Sequence, residues 1–356
     1  MIKEHALSHL WPGVPLAFGS AVLFGVTAPL AKMLLADFDP QLLAGSLYLG
    51  AGVGLAGLQF GRRTLGMPST EAPLRASDLP WLVAIVLAGG VLGPLLLMEG
   101  LSATNAANAS LLLNLEGLAT MAIAWLVFRE NVDARLLAGA AAILIGAALL
   151  SWRGRGLSLD RGALLVSGAC FAWGIDNNLT RKLSSADPVI IAAIKGLVAG
   201  AVNVAAAFVR GAAIPAPPTM GAAALLGFFS VGVSLVLFIL ALRHLGTART
   251  GAYFSLAPFI GALTAIALLH EQATLKLALA GVLMAVGVWL HLAERHDHEH
   301  EHEALEHEHA HVHDKHHQHS HDEEPAVEPH SHRHCHERMV HSHPHYPDLH
   351  HRHGHG

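Results

Sequence analysis

From Val14 to Leu292 the chain alternates between long apolar runs and short polar links. Val14 to Ala31, Leu136 to Trp152 and Ala212 to Leu242 carry no ionisable side chain at all. Such runs match the roughly 20 residues, at ~1.5 Å each, that a helix needs to cross a ~30 Å hydrocarbon core. Placing boundaries at charges, Pro/Gly turns and polar links predicts ten spans, at 14–35, 41–60, 80–98, 105–128, 135–152, 161–180, 189–209, 221–242, 248–269 and 274–292. The N-terminal run is too long for a signal-peptide core, and another span follows it at once, so it reads as the first membrane helix.

Composition strengthens this reading. Hydrophobic residues make up 53% of the 356, and charged residues only 14%, against about a quarter in soluble domains. Glycines number 35, and pairs such as Gly50/Gly54 and Gly57/Gly61 have the spacing that lets helices approach closely in lipid. The two cysteines, Cys170 and Cys335, form neither a disulfide framework nor a zinc motif.

Loop charge sets orientation. With the N-terminus inside, Lys3, Arg62, Arg63, Arg75, Arg129, Arg135, Arg181, Lys182, Arg243, Arg249 and Arg295 are cytoplasmic. Arg153, Arg155, Arg161, Arg210 and Lys276 are outside. The majority favours N-inside, although the link from Trp152 to Arg161 is basic on the outer side. An even number of spans then puts the C-terminal tail in the cytoplasm as well.

The chain repeats itself. Phe24-Gly25-Val26-Thr27 and Lys32, leading to Asp39-Pro40, match Trp173-Gly174-Ile175-Asp176 and Arg181, leading to Asp187-Pro188. Phe128-Arg129-Glu130-Asn131 likewise matches Leu269-His270-Glu271-Gln272. Two units of five spans follow, at 14–152 and 161–292. Five is odd, so the second unit enters the membrane inverted, the plan of secondary transporters with a site near the midplane. The predicted fold is an all-α membrane protein of two inverted five-helix repeats with a disordered tail.

Each half resembles the EamA unit of the drug/metabolite transporter superfamily. The resemblance rests on three features: the aromatic-Gly turn with a cation seven residues on (Gly25/Lys32 and Gly174/Arg181), a fourth helix closing in Glu130 or Glu271, and a Gly-rich fifth helix around Gly139/Gly146 and Gly281/Gly287. It spans residues 14–292 and implies ten helices, both termini cytoplasmic, and proton- or gradient-coupled export of small metabolites. One departure stands out. The second half has the family's mid-helix proline at Pro258, where the first half has Asn114-Leu115-Glu116-Gly117.

Ionisable groups inside spans cost about 2.5–3.5 kcal/mol each on insertion scales and therefore call for a reason. Glu116, mid-span with Asn114 nearby, reads as a proton-coupling or cation-binding carboxylate, or else as a protonated acid bridging helices. Asp176, beside Asn177 and Asn178, lies at a depth similar to that of Lys195. The two form either a structural ion pair or one that breaks to drive the switch between access states. Glu99 is either a solvated helix end or a gate. Lys32 either snorkels to the interface or joins the solute path. Glu130 and Glu271 finish their helices at the interface.

All but five of the 28 histidines (His5, His9, His244, His270 and His291) lie from His296 to His355. The ligand candidates are His296, His298, His300, His302, His307, His309, His311, His313, His316, His317, His319, His321, His330, His332, His334 and His336. Neutral imidazoles among carboxylates suit nickel, zinc, cobalt or copper, bound in many registers by a chain at 296–356 too polar to fold alone. No cofactor is required otherwise. No span holds a His-x-x-x-Asp cage for a transition metal, nor a catalytic motif, so the chain is not read as an enzyme. The predicted partners are a small solute or ion and the lipid bilayer of the cell (inner) membrane, with no nucleic acid; a homodimer is left open. Three functions remain: a small-solute exporter with a metal-binding tail, a nickel, cobalt or zinc efflux carrier, and a membrane-anchored metal buffer.

Overall fold

The structure is a computed structural model, which describes residues 13–66, 74–128, 132–152, 160–183 and 187–292, together with the backbone of 296–302, 305–311, 330–336 and 339–345. Among the described residues, nine helices are long and apolar enough to cross a membrane: α1 (Gly13–Leu34), α2 (Pro40–Thr64), α3 (Ala76–Ala103), α4 (Ala106–Val127), α5 (Ala134–Ser151), α7 (Pro188–Val209), α8 (Pro217–Leu242), α9 (Arg249–Leu269) and α10 (Leu275–Leu292). Between α5 and α7 stands α6 (Arg161–Thr180), 20 residues long. Asp176-Asn177-Asn178 lower its hydropathy, yet it packs inside the bundle against α3 and α4. The membrane part contains no strand among its described residues.

Packing relates the two halves by exchange. α2 crosses α7, α4 meets α9 and α5 lies along α10. Further contacts come in matched pairs: α1 on α8 with α6 on α3, α1 on α9 with α6 on α4, and α2 on α8 with α7 on α3. Small residues let α2 and α7 approach closely, where Gly52 lies against the backbone of Gly196 and Leu197. Of the two spaced glycine pairs in α2, Gly50 and Gly54 press on Ala224 and Phe228 of α8, whereas Gly57 and Gly61 face open space. The close-approach reading therefore holds for the first pair only.

The repeated Asp-Pro motifs are helix starts. Asp39 accepts the N–H groups of Gln41 and Leu42 (2.9 and 3.1 Å), and Asp187 accepts that of Val189 (2.8 Å). In both, proline occupies the first turn, where its missing N–H costs nothing.

Helix breaks also recur between the halves. α3 is π-helical over Val86–Leu92 and α8 over Phe228–Val233. α9 breaks at Ser255–Leu256, where Pro258 cannot donate to the carbonyl four residues back. α4 breaks at the matching place, Leu113–Asn114, without a proline. There the Asn114 side-chain amide donates to the Leu111 carbonyl (2.8 Å), and the Glu116 N–H turns to Leu113 (3.0 Å). The Leu112 carbonyl so released accepts from Cys170 Sγ of α6 at 3.5 Å. A side-chain amide and a thiol satisfy the carbonyls at a break that proline makes in the other half.

In the tail, β1 (His296–His302) pairs antiparallel with β4 (Met339–His345), and β2 (Leu305–His311) with β3 (His330–His336). The register sets His300 opposite His341 and His309 opposite His332. Strict His-x-His alternation is a period-two pattern that suits extended pairing, although two-stranded ladders without an apolar core are only marginally stable in water.

Candidate functional site

Near the C-terminal end of α6 and in the first half of α7, Asp176 and Lys195 come together, with Lys195 Nζ 2.7 Å from Asp176 Oδ2. The aspartate is 4% exposed and also accepts from the Thr180 hydroxyl at 3.3 Å. The pair lies flat on α3: a methyl group at Gly89 would fall on the Asp176 carboxylate, and one at Gly90 would meet Lys195 Cγ at 3.0 Å. The Asp176 carboxylate occupies the space of a Cβ at Gly89, and at Gly90 the Ala199 methyl, at 2.6 Å, obstructs it more closely than Lys195 does.

The π segment of α3 prepares one more polar group. Within it the Gly93 N–H bonds to the Ala88 carbonyl, five residues back. The next donor in that register, for the Gly89 carbonyl, would be Pro94, which has no N–H. The orphaned Gly89 oxygen is taken instead by the Tyr48 hydroxyl of α2 and Trp173 Nε1 of α6, both at 3.0 Å. Three helices thus converge on one carbonyl beside the ion pair.

Glu116 completes the cluster from α4, just after the break. Its Oε1 accepts from the Asn177 amide at 3.1 Å, and the same amide reaches the Thr120 hydroxyl at 3.2 Å. Asn178 donates to the Thr120 and Gly174 carbonyls (3.0 and 2.8 Å), tying α6 to α4, while its buried Oδ1 has no partner among the described residues. Asn177 is exposed and Glu116 half-buried, and a methyl group added at the adjacent Gly117 would meet no atom within 4 Å. The acid therefore borders open space.

Of the residues singled out in the sequence, Glu116, Asp176, Asn177, Asn178 and Lys195 come together here. Asn114 does not; its amide serves the α4 break and faces Met284 Sδ at 3.8 Å. Lys32 sits at the far end of α3, donating to the Leu101 carbonyl and to the Thr104 carbonyl at 3.0 Å. Glu99 lies outside the cluster, with no side-chain partner among the described residues. Glu271 lies just past α9 and caps α4, its two oxygens accepting the N–H groups of Ala106 and Ala107 at 2.8 Å each. Glu130 lies outside the described residues, as do His313, His316, His317, His319 and His321; of the other candidate ligands in the tail, from His296 to His311 and from His330 to His336, only the backbone is described. Among the described residues no group of three or more His, Cys, Asp or Glu side chains is placed to hold a metal.

Sequence reasoning missed Tyr48, Gly89, Gly90, Thr120, Trp173 and Thr180. Two of these left a trace: Trp173 replaces the repeat's Phe24, adding a donor, and Pro94 stands five residues after Gly89. The mirrored position in the other half carries no charge. Thr27 and Leu47 occupy the places of Asp176 and Lys195, and Phe24 stacks on Phe254 at 5.2 Å.

The model of the EamA-like transporter family matches this chain twice, over residues 11–152 and 160–293. An uncharacterized transporter of Methanothermobacter thermautotrophicus is 30% identical over 285 residues, covering 76% of this chain and 83% of the relative. The uncharacterized transporter YyaM of Bacillus subtilis is 25% identical, covering 76% and 92%. A crystal structure at 19% identity shares the fold, with a TM-score of 0.57 over 78% of this chain and 95% of its own. With two family units in tandem and helices apolar enough to cross a bilayer, the chain is a multi-pass membrane protein that belongs to the EamA-like transporter family.

Proposed function

We propose that the protein is a secondary transporter that exports a small solute through a site formed by Glu116, Asp176, Asn177 and Lys195. The observation that carries this reading is a buried ion pair with a second carboxylate inside the helix bundle, where ionised groups are costly unless they serve a function. The α6 helix counts as the tenth span. Two inverted units of five then face each other across the site, with both termini in the cytoplasm of the cell (inner) membrane. The exchange of helix contacts between halves supports this arrangement, as does the excess of Lys and Arg in the N-side loops. Asp176 and Lys195 act as a pair that opens when solute or proton arrives, and Glu116 and Asn177 bind or couple beside it. The His-rich tail binds transition metals in the cytoplasm as a buffer or sensor.

Efflux of nickel, cobalt or zinc is the second reading, favoured by the tail alone. In the bundle a metal ion would compete with the Lys195 ammonium for Asp176, and oxygen ligands alone suit these ions poorly. A membrane-anchored buffer without transport leaves the buried ion pair unexplained.

The test compares cells producing the full chain, a chain ending at Arg295, and the full chain with Glu116→Gln. Small solutes are profiled in medium and cells, and nickel, cobalt and zinc are measured in the same samples. The exporter reading expects one or a few organic solutes to rise in the medium, with the full chain and the Arg295-terminated chain but not with Glu116→Gln. A fall in cell metal that depends on Glu116 would replace it with the metal-efflux reading.

A further inference from the structure

We infer that the solute carries one net positive charge as a small protonated amine, and that Glu116 binds it in exchange for one proton. This rests on the transport reading above and assigns its substrate class.

The argument is one of charge balance. The site contains two carboxylates, Asp176 and Glu116, and one ammonium, Lys195. Asp176 is committed: Lys195 stands at 2.7 Å, Thr180 donates to the other oxygen, and Gly89 covers its face. Among the described residues Glu116 accepts only from the Asn177 amide, which stabilises a carboxylate but cancels no charge. The titratable groups whose charges reach Glu116 are Asp176 and Cys170 on α6, Lys195 on α7 and Tyr48 on α2. Lys195 is the one cation among them, and it is already bonded to Asp176. With all three groups ionised the site holds one surplus negative charge, and an uncompensated charge in such a place is strongly unfavourable.

A proton or a monovalent cation removes that surplus, and the two exclude each other on one carboxylate. An anion would add to the surplus, and a divalent cation would reverse it. Space for the amine lies on the exposed side of Glu116, where Gly117 leaves the volume open and Asn177 is accessible. An amine nitrogen placed there donates to the free Glu116 oxygen. Because the stretch of α9 that matches Glu116, Ser255-Leu256-Ala257-Pro258, holds no acid, the exchange occurs once per chain, one proton for one amine, without net charge movement.

The test uses the purified full-length protein in detergent with three probes of one shape (benzylamine, benzyl alcohol and benzoate), plus butylamine as a second amine. Thermal stability and proton release into weakly buffered solution are both read. At least one amine should stabilise the protein and release up to one proton per chain, whereas the alcohol and the acid should do neither. Glu116→Gln should abolish proton release and weaken amine binding about tenfold or more, the worth of one charge-assisted contact. Glu99→Gln, outside the cluster, should change nothing. Asn177→Ala removes the amide and no charge, so it should keep the release. Stabilisation by benzoate, an undiminished amine response in folded Glu116→Gln, or no response to either amine would overturn the inference. In proteoliposomes, binding with proton release but no amine flux would refute transport and leave the inference standing. Flux of an anion would do the reverse.

Discussion

Glu271, just beyond the end of α9, accepts the backbone N–H of Ala106 through Oε1 at 2.8 Å and so caps the first turn of α4 in the other half of the molecule. Its second oxygen takes the Ala107 N–H at the same distance. A carboxylate supplied from the second repeat does for α4 what Asp39 does for α2 from its own chain neighbourhood. Replacing it with alanine should lower unfolding stability by about 1–2 kcal/mol, the usual worth of an N-cap with favourable helix-dipole charge. Glu271→Gln, which keeps one acceptor, should lose less. Thermal unfolding in detergent measures both, and equal stability of all three proteins would show the cap to be unimportant.

The Asp176–Lys195 pair should reveal itself by non-additivity. Asp176→Asn or Lys195→Met alone strands a buried charge and should cost roughly 3–5 kcal/mol. The double variant should recover much of that loss. A double-mutant cycle on unfolding stability measures the coupling, and strict additivity of the two changes would mean that the pair is not formed.

Two glycines that look alike in the sequence should behave oppositely. Gly89→Ala drives a methyl group onto the Asp176 carboxylate and should abolish folded, monodisperse protein. Gly117→Ala enters open space and should leave yield and stability unchanged within about 0.5 kcal/mol. Size-exclusion profiles of the two variants decide the matter.

Tyr48→Phe and Trp173→Phe each remove one donor from the Gly89 carbonyl, at a cost of about 0.5–1.5 kcal/mol. Removing both leaves a buried acceptor unsatisfied beside the α3 π segment. The double variant should therefore fall below the sum of the two by a further kcal/mol or so. Melting curves of the three variants would expose simple additivity instead.

Zinc or nickel titrated into the full chain should bind at several sites that vanish when the chain ends at Arg295. Imidazole must be neutral to ligate, and it protonates near pH ~6.5. Affinity should therefore fall as pH drops from about 7.5 to about 5.5 and return on raising it. Calorimetric titration at both pH values tests this, and equal binding by the Arg295-terminated chain would move the sites out of the tail.

Much of this protein is written in its linear pattern. Apolar runs without charge must become helices in a bilayer, because no other local structure satisfies its own backbone there. The helices therefore appear where the runs stand, with ends shifted by a few residues at links such as Thr64 and Ala76. The tandem repeat was equally legible, since Asp-Pro caps and aromatic-Gly turns are local motifs. So was the attraction of Asp176 to Lys195, because two opposite charges in consecutive spans each lower the other's cost.

Tertiary structure decided what each polar residue touches. Asn114 and Glu116 are two positions apart in the chain, yet a helix break turns one inward to its own backbone and leaves the other facing open space. Lys32 is a site candidate by charge and Glu271 reads as a helix end, and packing makes them caps on α3 and α4. Tyr48 and Trp173 meet beside the ion pair because a π turn and Pro94 strip the Gly89 carbonyl of its donor. Such outcomes depend on which face of a helix meets which neighbour, a long-range property set by small residues and breaks that periodicity does not encode.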